Sequence, residues 1–88
     1  MTDKELKSFT INYISFKEKE NLNYIRYTFY ELRVKNNLSE DEVNEFLKIN
    51  KDYFENKRYN VYFTGAKFIY NNANMTVQPN ELMIAIKE

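Results

Sequence analysis

The sequence predicts an α+β fold of two layers. An antiparallel sheet of about four strands, in the order β-β-α-β-β, carries one long helix on one face. Three observations lead there. Residues 39–57 hold the clearest amphipathic helix of the chain. The segments around it, 8–16, 24–34 and 59–70, are rich in Tyr, Phe, Ile and Val, which suit a pleated, half-buried surface. The run 82–86, Leu-Met-Ile-Ala-Ile, is the most apolar of all and reads as a central strand.

Residues 1–7 are charged and form a frayed lead-in. In residues 8–16, Phe9, Ile11 and Tyr13 alternate with Thr10, Asn12, Ile14 and Phe16, the period of a strand. Residues 17–23 are polar and read as a turn. Residues 24–34 admit two readings. Seven of the eleven are β-branched or aromatic, which favours a strand paired with the first as a hairpin. Leu22, Ile25, Phe29 and Leu32 also line up at helical spacing. The strand hides more of the aromatics and is the preferred reading. Residues 35–38 connect it to the helix.

Ser39 can cap that helix by accepting a hydrogen bond from a first-turn amide, and Glu42 three residues on completes a capping box. Glu40, Asp41 and Glu42 place negative charge at the positive end of the helix dipole, and Lys57 and Arg58 fall at the other end. Val43, Phe46, Leu47, Tyr53 and Phe54 share one face, with Ile49 at its edge. Asn50 interrupts that face, so it must find a partner or mark a break.

Beyond the helix, residues 59–70 are again β-rich, with the only glycine, Gly65, at a turn or bulge. Residues 71–74, Asn-Asn-Ala-Asn, read as a turn, because Asn tolerates left-handed backbone. A short extended piece at 75–77 and a Pro79-Asn80 break precede the last strand.

Eighty-eight residues make one small domain, 1–88, with a modest core; such a chain buries roughly 60 to 65% of its unfolded surface. Eight Tyr and seven Phe enlarge that core. The absence of Cys excludes disulfides, thiolate nucleophiles and sulfur-based zinc sites, and the absence of His removes the commonest metal ligand and general base. No catalytic motif stands out, and neither cofactor nor metal is expected. Thirteen basic and thirteen acidic residues cancel, so no long-range field attracts nucleic acid or a membrane surface. The polar N-terminus and the lack of any apolar run near the ~18 residues of a membrane span point to a cytoplasmic protein. Heavy use of Asn, Lys, Ile, Tyr and Phe points to a low-GC genome. The sequons at Asn37 and Asn74 are chance matches in an Asn-rich chain.

The acidic group Glu40, Asp41, Glu42 and Glu45 reads as capping and a solvated face. The basic group Lys48, Lys51, Lys57 and Arg58, near Tyr53 and Tyr59, has the composition of a single-strand-binding patch. Asp52 and Glu55 among these bases make a solvated helix end the simpler reading.

Leu38, Ser39, Glu42, Val43, Leu47 and Ile49 fall in a pattern that resembles the helix-turn-helix of phage-repressor-type regulators. The resemblance covers residues 32–60, with Asn44 and Lys48 where that family has a small residue and a turn glycine. It implies two short helices broken at Lys48, and DNA contacts from Asn50, Lys51, Tyr53, Glu55 and Asn56 with Lys57 and Arg58 nearby. This is the alternative function.

The leading expectation is a small non-enzymatic interaction protein. Both phases of the predicted strands carry large apolar residues, whereas a water-facing sheet should be polar in one phase. The sheet face away from the helix is therefore expected to meet a protein partner or a second copy, through Tyr24, Tyr27, Tyr30, Tyr62 and Tyr70. In size and composition the chain resembles small phage or mobile-element accessory proteins, including anti-CRISPR and other host-defence inhibitors. That resemblance implies binding and inhibition of a host protein, with no small-molecule substrate.

Overall fold

A computed structural model describes residues 1–20 and 23–88. Helix α1 (Asp3–Lys19) leads to strand β1 (Tyr24–Thr28), a π-helical segment (Tyr30–Lys35) and helix α2 (Glu40–Asn56). Strands β2 (Tyr59–Phe63), β3 (Lys67–Tyr70), β4 (Ala73–Thr76) and β5 (Glu81–Lys87) follow. The fold is α+β with antiparallel pairing, as predicted. Its finer arrangement differs. Among the described residues there are two α-helices rather than one, and the strands form two sheets, ordered β1-β5-β2 and β3-β4.

Residues 8–16 lie within helix α1, not in a strand. This helix opens with a capping box of its own. The Thr2 hydroxyl accepts from the Glu5 amide at 3.1 Å, and the Glu5 carboxylate accepts from the Thr2 amide at 2.9 Å. Those hydrogen bonds, the backbone one first, hold the Glu5 carboxyl below its ordinary range. Leu6, Thr10 and Ile14 are buried four residues apart, with Phe9, Tyr13 and Lys17 half-buried beside them. The run has no charged face to set its period, so alternation and helical spacing both fit it. The helix continues to Lys19 through the predicted turn, and Asn21 and Leu22 lie outside the described residues.

Residues 24–34 follow both readings in turn. They are strand to Thr28, then wind into a π turn in which the Asn36 amide donates to the Glu31 carbonyl at 3.1 Å. Helix α2 matches its prediction, with Ser39 and Glu42 in a reciprocal capping box at 3.2 and 2.8 Å. It runs unbroken through Lys48 and Asn50. Asn50 is fully buried; it accepts from the Tyr27 hydroxyl at 2.7 Å and donates to the Phe46 carbonyl at 2.8 Å.

Strand β5 is central, as predicted, between β1 and β2. Pairing of Tyr27 with Met83 and of Thr28 with Glu81 leaves Leu82 as the extra residue of a bulge. The predicted strand 59–70 is two strands, hinged at Gly65, whose φ of +87° favours glycine although its surroundings are open. Asn71 and Asn72, both with positive φ, close the β3–β4 hairpin.

Helices α1 and α2 run side by side and parallel. The chain's α-amino group meets Glu42 at 3.1 Å at one end, and the Tyr53 hydroxyl donates to Glu18 at 2.5 Å at the other. Both pack on one face of the three-stranded sheet. Ile25, Tyr27, Met83 and Ala85 meet Leu6, Ile14, Val43, Phe46 and Phe54 there. The other sheet face carries a smaller cluster, in which Phe68 and Val77 cover Ile84. The expectation that this face is left open to a partner is thereby corrected, since the β3–β4 hairpin folds onto it.

Candidate functional site

The five tyrosines expected at a partner surface do not share a face. Tyr27 points into the helix-side core with no exposed surface. Burial, with the nearby Glu31 charge second, pushes its hydroxyl pKa up. Tyr24, Tyr62 and Tyr70 pack around the hairpin-side cluster. Tyr62 stacks on Phe68 with ring centres 4.6 Å apart, and Tyr24 lies 5.3 Å from Tyr70. Burial also raises Tyr24. Only Tyr30 stands well clear, 65% exposed.

The positions named for DNA contact do not form a reading head either. A helix-turn-helix needs a break near Lys48, and α2 has none. Asn50 is sealed in the core. Lys51 pairs with Glu55 one turn on, at 3.3 Å. The Tyr53 hydroxyl is occupied by Glu18, which pushes its pKa up to about 12, and Lys57 lies over the Tyr53 ring at 5.6 Å. Arg58 takes a left-handed conformation, φ 66°, just past the helix end.

The structure instead gathers exposed apolar side chains on the π-helical segment and its flanks. Phe29 is 48%, Tyr30 65% and Val34 57% exposed. The segment is held firmly from beneath. Leu32 is fully buried, and Leu38 donates its amide back to the Leu32 carbonyl at 3.0 Å. The Thr28 hydroxyl caps the first turn by accepting from the Glu31 amide at 3.1 Å, and the Asn36 side chain donates to the Glu31 carbonyl at 2.8 Å. The Glu31 carboxylate turns towards α1, where it pairs with Lys17 at 3.3 Å and accepts a hydrogen bond from the Tyr13 hydroxyl. Burial and that carboxylate raise Tyr13, in that order. Lys17 completes the latch by lying over the Tyr13 and Tyr27 rings at 5.8 and 5.6 Å.

Two shallow grooves flank the segment. One, towards α1, is lined by Phe9, Asn12, Tyr13, Phe16, Lys35 and Asn36, and Phe16 is 65% exposed at its rim. The other, towards α2, is lined by Phe29, Arg33, Val43, Leu47 and the bulged Leu82. Arg33 sits over the Phe29 ring at 5.7 Å and puts a cation on that rim. Helical geometry sends residues 31 and 35 to the first groove and 29 and 33 to the second. Tyr30 and Val34 then face outward between them, opposite Leu32. Elsewhere among the described residues the large exposed apolar side chains are Met1, Ile11, Ile69 and Met75.

This arrangement offers rigid aromatic area with charges at its edges, which is the chemistry of peptide and protein recognition. π-Helical turns are rare and recur at functional sites. Of this surface, sequence reasoning names only Tyr30. A signal for the rest is present: Thr28 and Glu31 repeat the Thr/Ser-x-x-Glu pattern that opens α1 and α2.

Among the described residues no three Asp and Glu side chains converge as a metal site, and no helix is long and apolar enough to cross a membrane. No protein-family model, curated protein or solved structure matches this chain.

Proposed function

We propose that this chain is a small non-enzymatic interaction protein that binds and inhibits a host protein, in the manner of phage and mobile-element accessory proteins. Its contact surface is the π-helical segment with its two grooves. One observation carries the reading. Phe29, Tyr30 and Val34 stand half to two-thirds exposed on six residues of backbone fixed by Leu32, Thr28 and Glu31. Exposed aromatics on a preorganised base lose little entropy on binding, so they suit the centre of an interface. Phe16 and the Leu82 groove extend the apolar area to either side, while Arg33 and Lys35 supply a rim.

The test compares two baits in lysate from a low-GC bacterium, the natural chain and Tyr30→Ser/Val34→Ser. Both replaced side chains are exposed, so the double variant should melt within about 1 kcal/mol of the parent. The expected result is a protein retained by the natural chain and lost from the variant. Equal capture by both baits would rule this surface out as the contact site.

A further inference from the structure

The outward face of α1 is unusual in a different way. Residues 8–16 contain no charge, yet Ser8, Ile11, Asn12, Ser15 and Phe16 all face solvent. Surface helices normally set charged side chains on the face away from the core. Here α1 is neutral for more than two turns around Ile11, which is 48% exposed. Charge returns at Lys7, one turn before Ile11, and then at two turns to either side with opposite sign. Lys4 and Glu18 stand seven residues to either side of Ile11, about two helical turns each way. Both are exposed, and Lys4 has no ion-pair partner among the described residues. The Glu18 carboxylate gives one oxygen to the Tyr53 hydroxyl at 2.5 Å and has a second oxygen to offer.

We infer that α1 pairs antiparallel with α1 of a second copy of this chain, about a two-fold axis at Ile11. That operation lays Ile11 on its counterpart and sets Lys7 of each copy against the neutral Ser15 of the other. It brings Lys4 of each copy to Glu18 of the other. Opposite charges at equal distance from a central apolar residue are what a self-complementary interface requires. The pairing centres on Ile11 and leaves Phe29, Tyr30 and Val34 clear, with Asn12 and Phe16 at the border of the two surfaces, so the dimer presents two copies of the π-helical segment. A single pair of 17-residue helices makes an interface at the small end of specific contacts, below about 1,200 Å², so the dimer dissociates on dilution.

Sedimentation velocity over a dilution series tests this. The natural chain should shift from two chains to one as concentration falls. Ile11→Glu should be monomeric throughout with its melting curve preserved. Lys4→Glu should weaken association by about tenfold or more, because it sets like charges together. Lys4→Glu/Glu18→Lys should restore most of it, a rescue that a merely structural role for either residue would not produce. A natural chain that stays monomeric at every concentration overturns the inference. So does an Ile11→Glu variant that dimerises like the parent, or a charge swap without rescue. None of these outcomes depends on the bait comparison at the π-helical segment.

Discussion

The two faces of the three-stranded sheet are closed by different means and to different depths. On the helix side, Tyr27, Phe46 and Phe54 have no exposed surface, and even the polar Asn50 is sealed in with both ends of its amide bonded. On the hairpin side only Phe68, Val77 and Ile84 are buried, and the tyrosines around them keep one edge in water. The helices bring long apolar stripes to their face, whereas the hairpin brings two four-residue strands. Apolar area removed from water sets the larger part of stability. The helix side therefore holds the fold together, and the hairpin side is a lid that stabilises it less.

Substitutions sharpen that contrast. The largest loss is expected for Phe46→Ala, about 3 to 5 kcal/mol, because the ring touches Phe9, Tyr13 and Tyr27 at centroid distances of 6.2, 5.6 and 5.0 Å. Chemical denaturation measures it, and Leu47→Ala, at a half-buried neighbour, should cost clearly less. Asn50→Ala should cost about 1 to 3 kcal/mol by orphaning the buried Tyr27 hydroxyl. On the other face, Phe68→Ala should cost less, about 2 to 3 kcal/mol, since the tyrosines around that smaller cluster are only half-buried and the site can collapse around the change. A loss as large as that at Phe46 would break the comparison. The smallest effect has the opposite sign. Arg58 occupies the left-handed position just past α2, so Arg58→Gly should raise stability by up to about 1 kcal/mol in the same assay, the relief of the left-handed backbone outweighing the extra freedom glycine gives the unfolded chain.

The same contrast explains what is legible in the sequence. Helix α2 is readable because charge marks its outer face and Ser39 and Glu42 mark its start. Strand β5 is readable because a strand buried on both faces is apolar in both phases. Gly65 and the Asn71-Asn72 pair are readable because their backbone needs are specific. Helix α1 passes for a strand because residues 8–16 lack the charges that would fix a period. The capping pattern at Thr2 and Glu5 is the available correction. The same pattern at Ser15 and Glu18 falls inside α1, so it locates a helix start only where the chain is free to begin one. The π-helical segment has no sequence period of its own. Thr28 and Glu31 mark where it begins, but its exposed face follows from the packing, in which Leu32 is the one buried residue of the turn. The excess of aromatics is real, but the hairpin covers the second sheet face, and the exposed remainder is Phe16 on α1 with Phe29 and Tyr30 at the π turn.

Chemical labelling of the eight tyrosines by N-acetylimidazole, read residue by residue by mass spectrometry, tests this division most directly. Tyr30 should react fast, Tyr24, Tyr62 and Tyr70 should react slowly, and Tyr27 should stay untouched until the protein unfolds. Labelling of Tyr62 and Tyr70 as fast as Tyr30 would mean that the second face is open. It would return the partner surface to the sheet and contradict a hairpin lid over that face.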